Sequence, residues 1–354
     1  MDNATCMTLH TTQPIHPGRY KTGFFGMDAE AYTQLMQETN LEQPFHDLYN
    51  YALVTDAKEG LILVDINTLQ DGEPRNNFLR RALTWNPNGI LDGARFIYSA
   101  GYYVYVVTPN AVVVLNLDTP LEPKVVSTLA FNDPRSVMQQ FRYLYVTDAD
   151  GLKVVDVTDM EQPKRLDDVL IPFDDAQRVF LSRTYAYVAA KHQGLGIVDI
   201  TVADRPKLYM MYNADGQLND ARDVVVASTN ASLYAYVADG VNGLKVLQMT
   251  GPDIQPKFYG FSPQPRPKLI AWKGTTGPAL SLARGLERDR AVDETGGQIA
   301  IFGRIGSRPF NREEQRKLYL RDSKPWYVNN EPDMRKLKRG EQPLRDWEMP
   351  LTTR

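Results

Sequence analysis

Apolar and polar side chains alternate along most of the chain at a period of two, in short runs broken by Gly, Asp and Asn. The segments YALVTDA from Tyr51, VYVVTP from Val104, YLYVTDA from Tyr143, YAYVAAK from Tyr185 and YAYVADG from Tyr234 place Tyr and Val on every second position. That is the pattern of a half-buried β-strand. Each is followed by a denser apolar run: EGLILVDINTL (59–69), NAVVVLNLDTPLEPK (110–124), DGLKVVDVTDMEQPK (150–164), QGLGIVDITVADRPK (193–207) and NGLKVLQMTGPDIQPK (242–257). Short Asp, Gly and Asn turns join the two members, so each pair predicts a hairpin.

Two further runs flank every hairpin. One precedes it, as in ARFIYSA from Ala94, AQRVFLS from Ala176 and ARDVVVA from Ala221; another follows the Pro-Lys pair, as in VVSTLAF from Val125, LYMMYN from Leu208 and FYGF from Phe258. Four short strands per unit result. The equivalent positions Leu61, Val112, Leu152, Leu195 and Leu244 recur at roughly 40 to 50 residues, the spacing of propeller blades. Radial repetition of such units packs blade on blade and protects the sheet edges. A decayed sixth copy falls at RAVDETGGQIAIFGRIG (290–306), where Gln298 to Phe302 alternates after a Gly-Gly turn. The prediction is an all-β chain: a β-propeller of about six four-stranded blades over residues 25–307, an irregular leader at 1–24 and an extended C-terminal arm at 308–354.

The units GLILVDI, GLKVVDV and GLGIVDI, each after a Tyr-Val strand and before a proline-ended turn, closely resemble LVIVD repeats. The resemblance covers residues 45–260 and departs from the pattern at Asn116 and Gln248, where other copies carry Asp65, Asp156 and Asp199. It implies a β-propeller serving as a non-catalytic protein–protein interaction module or scaffold. It also implies an extracellular, periplasmic or cell-surface setting, with a membrane-associated or surface complex as the partner.

Charge narrows the partners. With 40 basic and 43 acidic residues in 354, there is no overall field to draw the chain to nucleic acid. RKLKRG (335–340) is too short and too interleaved with acids to change that. No apolar run approaches the ~18 residues of a membrane span, so no transmembrane segment is expected. The opening MDNATCMTLHTTQPIHPGRY lacks the basic start and apolar centre of a secretory signal.

Candidate chemistry falls in four places. Asp56, Asp148 and Asp239 start the turns inside the hairpins, and Asp65, Asp156 and Asp199 end the GL-type strands. Short carboxylates at such positions accept backbone N–H groups. The alternative for the turn set is hard oxygen ligation of Ca²⁺. In DADG (148–151), however, the following positions are apolar strand residues, so no metal is expected. In the leader, CMTLH matches the c-type haem spacing C-x-x-C-H except at Leu9. Cys6 and His10, with His16 nearby, would therefore hold a haem by one thioether or sit in a mobile leader. A closed zinc site lacks its fourth ligand. The haem reading makes the chain an accessory module of a multihaem or redox complex; otherwise no cofactor is expected. His192, in the AKHQG turn, is a possible rim site at the channel mouth. In the arm, Trp326, Tyr327 and Trp347 are large apolar anchors for docking, on the chain itself or on a partner. No nucleophile motif, phosphate loop or H-E-x-x-H is present, so nothing specific points to an enzyme.

Overall fold

A computed structural model describes residues 1–9, 28, 31, 34–35, 46–69, 74–229, 232–255, 262–283, 304–305, 308–309, 311–321 and 323–325. Five antiparallel four-stranded sheets carry the described part. Blade one is β1 (Ala4–Leu9), β2 (Tyr51–Asp56), β3 (Gly60–Asp65) and β4 (Arg80–Trp85); blade two is β5 (Phe96–Ala100), β6 (Tyr103–Val107), β7 (Ala111–Asn116) and β8 (Lys124–Ala130). Blade three is β9 (Ser136–Gln140), β10 (Tyr143–Asp148), β11 (Gly151–Asp156) and β12 (Lys164–Pro172). Blade four is β13 (Val179–Ser182), β14 (Tyr185–Ala189), β15 (Leu195–Asp199) and β16 (Lys207–Tyr212). Blade five is β17 (Asp223–Thr229), β18 (Ser232–Ala238), β19 (Leu244–Thr250) and β20 (Lys268–Lys273). The first strand of each blade touches the first strand of the next, β1 to β5 to β9 to β13 to β17, which sets the sheets side by side about an axis.

The Tyr-Val alternation explains how the blades hold together. Successive residues of β6, β10 and β14 point to opposite sheet faces, and both faces are buried because a blade lies on each side. One apolar cluster joins Leu53, Leu61 and Leu63 of blade one to Val104 and Val106 of blade two and Val155 of blade three. A second joins Tyr145 and Val154 to Ala186 and Val188, and a third joins Tyr187 and Ile197 to Val224 and Leu247. The glycine of the GL motif is a backbone requirement. Gly151 has φ +142°, and a Cβ there would lie 2.1 Å from the Ile171 carbonyl oxygen; at Gly243, φ is +78° and the Lys273 carbonyl oxygen would be 2.2 Å away.

Two sequence expectations change, and a third is met only in part. The leader is not irregular along its whole length: Ala4–Leu9 is the inner strand of blade one, with Cys6 opposite Thr55 and Met7 opposite Val54. A long insertion between Leu9 and Tyr51 separates this strand from its own blade, which hid it. The arm is not extended throughout. Residues Arg312–Tyr319 form helix α1, closed at its start by a capping box between Asn311 and Glu314. Five four-stranded sheets are described where about six were expected, and the sixth copy at 290–306 lies almost wholly outside the described residues.

Candidate functional site

One face of the blades, here the turn face, carries the hairpin turns and the segments leading into the inner strands. Asp56, Asp148 and Asp239 all lie there and all are buried. Asp56 accepts N–H bonds from Asn3, Lys58 and Glu59; these hold its carboxyl below the ordinary range against the upward push of burial. Asp148 accepts from the N–H groups of Asp150 and Gly151 and from Lys153 Nζ at 2.6 Å. Asp239 accepts from Asn219 and Asp220 N–H. On the opposite face, Asp65, Asp156 and Asp199 each accept the N–H two residues on, at 2.8 Å. Asn116 does the same for Asp118 at 2.8 Å, which explains why the amide is tolerated in that copy. Gln248, the other departure, instead donates to Asp253.

The turn face also carries an ion-pair chain that sequence reasoning missed. Arg95 of blade two meets Asp133, Asp133 meets Arg135 of blade three, and Arg135 meets Asp175 ahead of blade four. Farther round, Lys191 and Arg222 share Asp220. The recurring segments NDPR (132–135) and NDAR (219–222) were the available signal.

Inside this rim the strand registers define the channel mouth. Tyr98, Met138, Phe180 and Val225 sit opposite the second Tyr of their respective hairpins, and Met7 sits opposite Val54. Two residues toward the turn face lies one layer made of Thr5, Phe96, Ser136, Arg178 and Asp223. Arg178 Nε is 3.3 Å from Asp223 Oδ1, and its guanidinium carbon is 4.1 Å from the Phe96 ring centroid. This side chain of blade four reaches past the inner edge of blade three to a ring of blade two. Asp223 is 3% exposed and also accepts N–H bonds from Val224 and Leu282. Burial pushes its carboxyl up, while Arg178 and these N–H groups oppose that push. The neighbouring position in each inner strand is uniformly apolar (Cys6, Ile97, Val137, Val179, Val224), whereas this one carries five different side chains. That contrast was the legible mark of the site.

Of the remaining candidates, the structure describes Cys6 and His192, and neither belongs to this layer. Cys6 packs its thiol against the first apolar cluster from within β1, so it does not sit in a free leader; His10 and His16 lie outside the described residues. Among the described residues no group of three His, Cys, Asp or Glu is placed to hold a metal ion. His192 stands on the turn face, 3.3 Å from Asp174, with both side chains mostly exposed. Trp326, Tyr327 and Trp347 lie outside the described residues. The arm ahead of them docks on the opposite face: Arg312 takes both oxygens of Asp159 at 2.9 Å, its N–H donates to Tyr102 Oη, and Gln139 donates to Tyr319 Oη.

Side-by-side antiparallel blades, each built round one hairpin of a sequence repeat, define an all-β, propeller-like repeat protein. Four regions are LVIVD repeats: the model of that family matches residues 49–68, 140–164, 174–214 and 220–248. Blade two, where Ala111 and Asn116 replace the Gly and Asp, falls outside the matches. No curated protein matches the chain. Among solved structures, the chain is similar to a 6-phosphogluconolactonase candidate from Bacteroides uniformis (14% identity, 64% of this chain and 69% of that one, TM-score 0.49). It is also similar to a functionally unknown protein from Desulfotomaculum acetoxidans (13%, 67% and 70%, TM-score 0.47). A third is the periplasmic gluconolactonase of Pseudomonas aeruginosa (12%, 67% and 69%, TM-score 0.45). Likeness at this level transfers no chemistry. No helix among the described residues is long and apolar enough to cross a membrane.

Proposed function

We propose that the chain is a six-bladed propeller serving as a non-catalytic interaction scaffold in an exported or cell-surface assembly, with its turn face taking a protein partner. The observation that carries this reading is the commitment of the turn-face groups. The repeated carboxylates are tied to backbone N–H groups, and the rim carboxylates to Arg and Lys, so the face is pre-ordered for contact. The described part of the arm, at Arg312 and Tyr319, docks on the opposite face and not on this one.

Support for a sixth blade comes from how the chain leaves blade five. Lys191 in the blade-four turn bridges Ala221 ahead of β17, and Gly240 in the blade-five turn bridges Ala279 in the same manner. Leu282 then donates its N–H to Asp223 at the head of the inner strand. Blade one buries Ala52, Val54, Ile62 and Val64 on its side away from blade two, as a blade with two neighbours would. The exported setting rests on the LVIVD resemblance.

The test is capture from the native host with the wild-type chain, a turn-face charge reversal (Arg135→Glu) and an opposite-face reversal (Arg205→Glu), all shown to melt alike. The expected result is a partner kept by wild type and Arg205→Glu and lost from Arg135→Glu. Identical proteins captured by all three would reject the turn face as the interface. Density showing blade five closed directly on blade one would reject the sixth blade.

A further inference from the structure

We infer that the channel mouth is a binding site for a carboxylate, held end-on by the Nη groups of Arg178. The inference does not depend on a protein docking at the turn face. A guanidinium offers five donors in a rigid plane. Here the Nε edge is taken by Asp223, and the plane lies on the Phe96 ring. Both contacts fix the fork without occupying its far end, and among the described residues no hydrogen-bond partner meets the Nη groups. The side chain is 23% exposed, so the described residues do not close over it. A fork held in one orientation, with its two terminal nitrogens free, matches the two oxygens of a carboxylate.

The surroundings fit an anion of this size. Ser136, in the same layer, is buried and accepts the Val179 N–H of blade four on its Oγ, so it ties two blades together beneath the fork and places no charge there. The next layer down is apolar at Met7, Met138, Phe180 and Val225, so an acid's carbon chain would rest on apolar surface below its head group. The rim carboxylates Asp133, Asp175 and Asp220 are each paired with an Arg or Lys, which lowers their repulsion of an incoming anion. Asp223 opposes the anion directly. Its charge is countered by Arg178 itself and by two N–H groups, and its role is to hold the fork.

The carboxylate could come from a small organic acid or from the end of a peptide, and calorimetric titration separates the two. The probes are succinate, a short peptide with a free α-carboxyl group and the same peptide amidated, each added to the full chain. Wild type is expected to bind succinate or the free peptide and to ignore the amide. Arg178→Lys keeps the charge opposite Asp223 but loses the fork, and should weaken binding by about tenfold or more. The double variant Arg178→Gln with Asp223→Asn should abolish it. Absence of binding by wild type up to about 10 mM, or equal binding by wild type and Arg178→Lys, would overturn the site. Arg178→Lys decides alone if the double variant does not fold.

Discussion

Blades three and five use the same residues in their hairpin turns and arrive at opposite electrostatics. In blade three, Asp148 pairs across a tight turn with Gly151, and Lys153 reaches back to close an ion pair with it at 2.6 Å. In blade five the turn from Asp239 to Lys245 is one residue longer. Oδ1 of Asp239 is filled by Asn219 and Asp220, Oδ2 is buried without a hydrogen-bond partner among the described residues, and Lys245 makes no ion pair with it there. Burial accordingly drives the Asp239 carboxyl up. A repeat thus conserves residue types more readily than their interactions, because one inserted residue redirects a side chain.

The largest expected effect tests what the two turns share. Gly151→Ala and Gly243→Ala should each cost about 3 kcal/mol, since the new Cβ adds a left-handed strain to a collision with strand backbone that cannot move aside. Urea unfolding measures both. A cost below about 1 kcal/mol at either would mean the GL glycine is not required by the backbone.

The next test separates the blades. Asp148→Asn weakens the hold on two N–H groups and leaves Lys153 with only Asp150, and should cost about 2 kcal/mol. Asp239→Asn removes a charge that burial already opposes and should fall within about 0.5 kcal/mol of wild type, or gain stability. Equal losses at the two positions would erase the distinction.

These hairpins were the legible part of the molecule. Tyr-Val alternation and the Gly-Leu start give both strands, their register and the axis-parallel stacking, because period two with both faces apolar has few other solutions. The inner strand of blade one was not legible: Thr5 and Thr8 dilute its apolar signal, and its partner lies beyond a long insertion. Helix α1 was hidden for a related reason. Its short span offers one buried aromatic, Tyr319, and its position is set by Arg312 on Asp159, a contact between residues far apart in sequence. The channel layer was visible only as a break in uniformity between copies, and nothing in one copy marks Arg178 or Asp223.

Smaller effects appear on changing pH. The folded-state value of Asp56 is depressed, so its contribution is present above the ordinary carboxylate value and is lost as pH falls through the depressed one. Asp239 has the reverse sign. Its raised folded-state value means no penalty when both states are protonated, and a penalty that grows as pH rises from the ordinary value through the raised one. Urea midpoints between pH 3 and 7 should therefore fall for wild type relative to Asp56→Asn on acidification. Against Asp239→Asn, they should rise on acidification. Parallel curves for the three proteins would contradict both assignments.

The smallest effect lies on the opposite face, where the strand-end aspartates repeat the comparison in a milder form. Asp65 does for Asn67 what Asn116 does for Asp118, at the same 2.8 Å, so Asp65→Asn should stay within about 0.5 kcal/mol of wild type while Asp65→Ala costs about 1 kcal/mol. Asp156 carries an added duty: its Oδ2 accepts from Arg142, which is buried and stacked on Tyr143. Asp156→Asn should then cost about 1 kcal/mol more than Asp65→Asn, the share that belongs to the charge and not to the turn. If the two asparagine variants unfold at the same urea concentration, Arg142 gains nothing from the carboxylate and the strand-end set is alike in every copy.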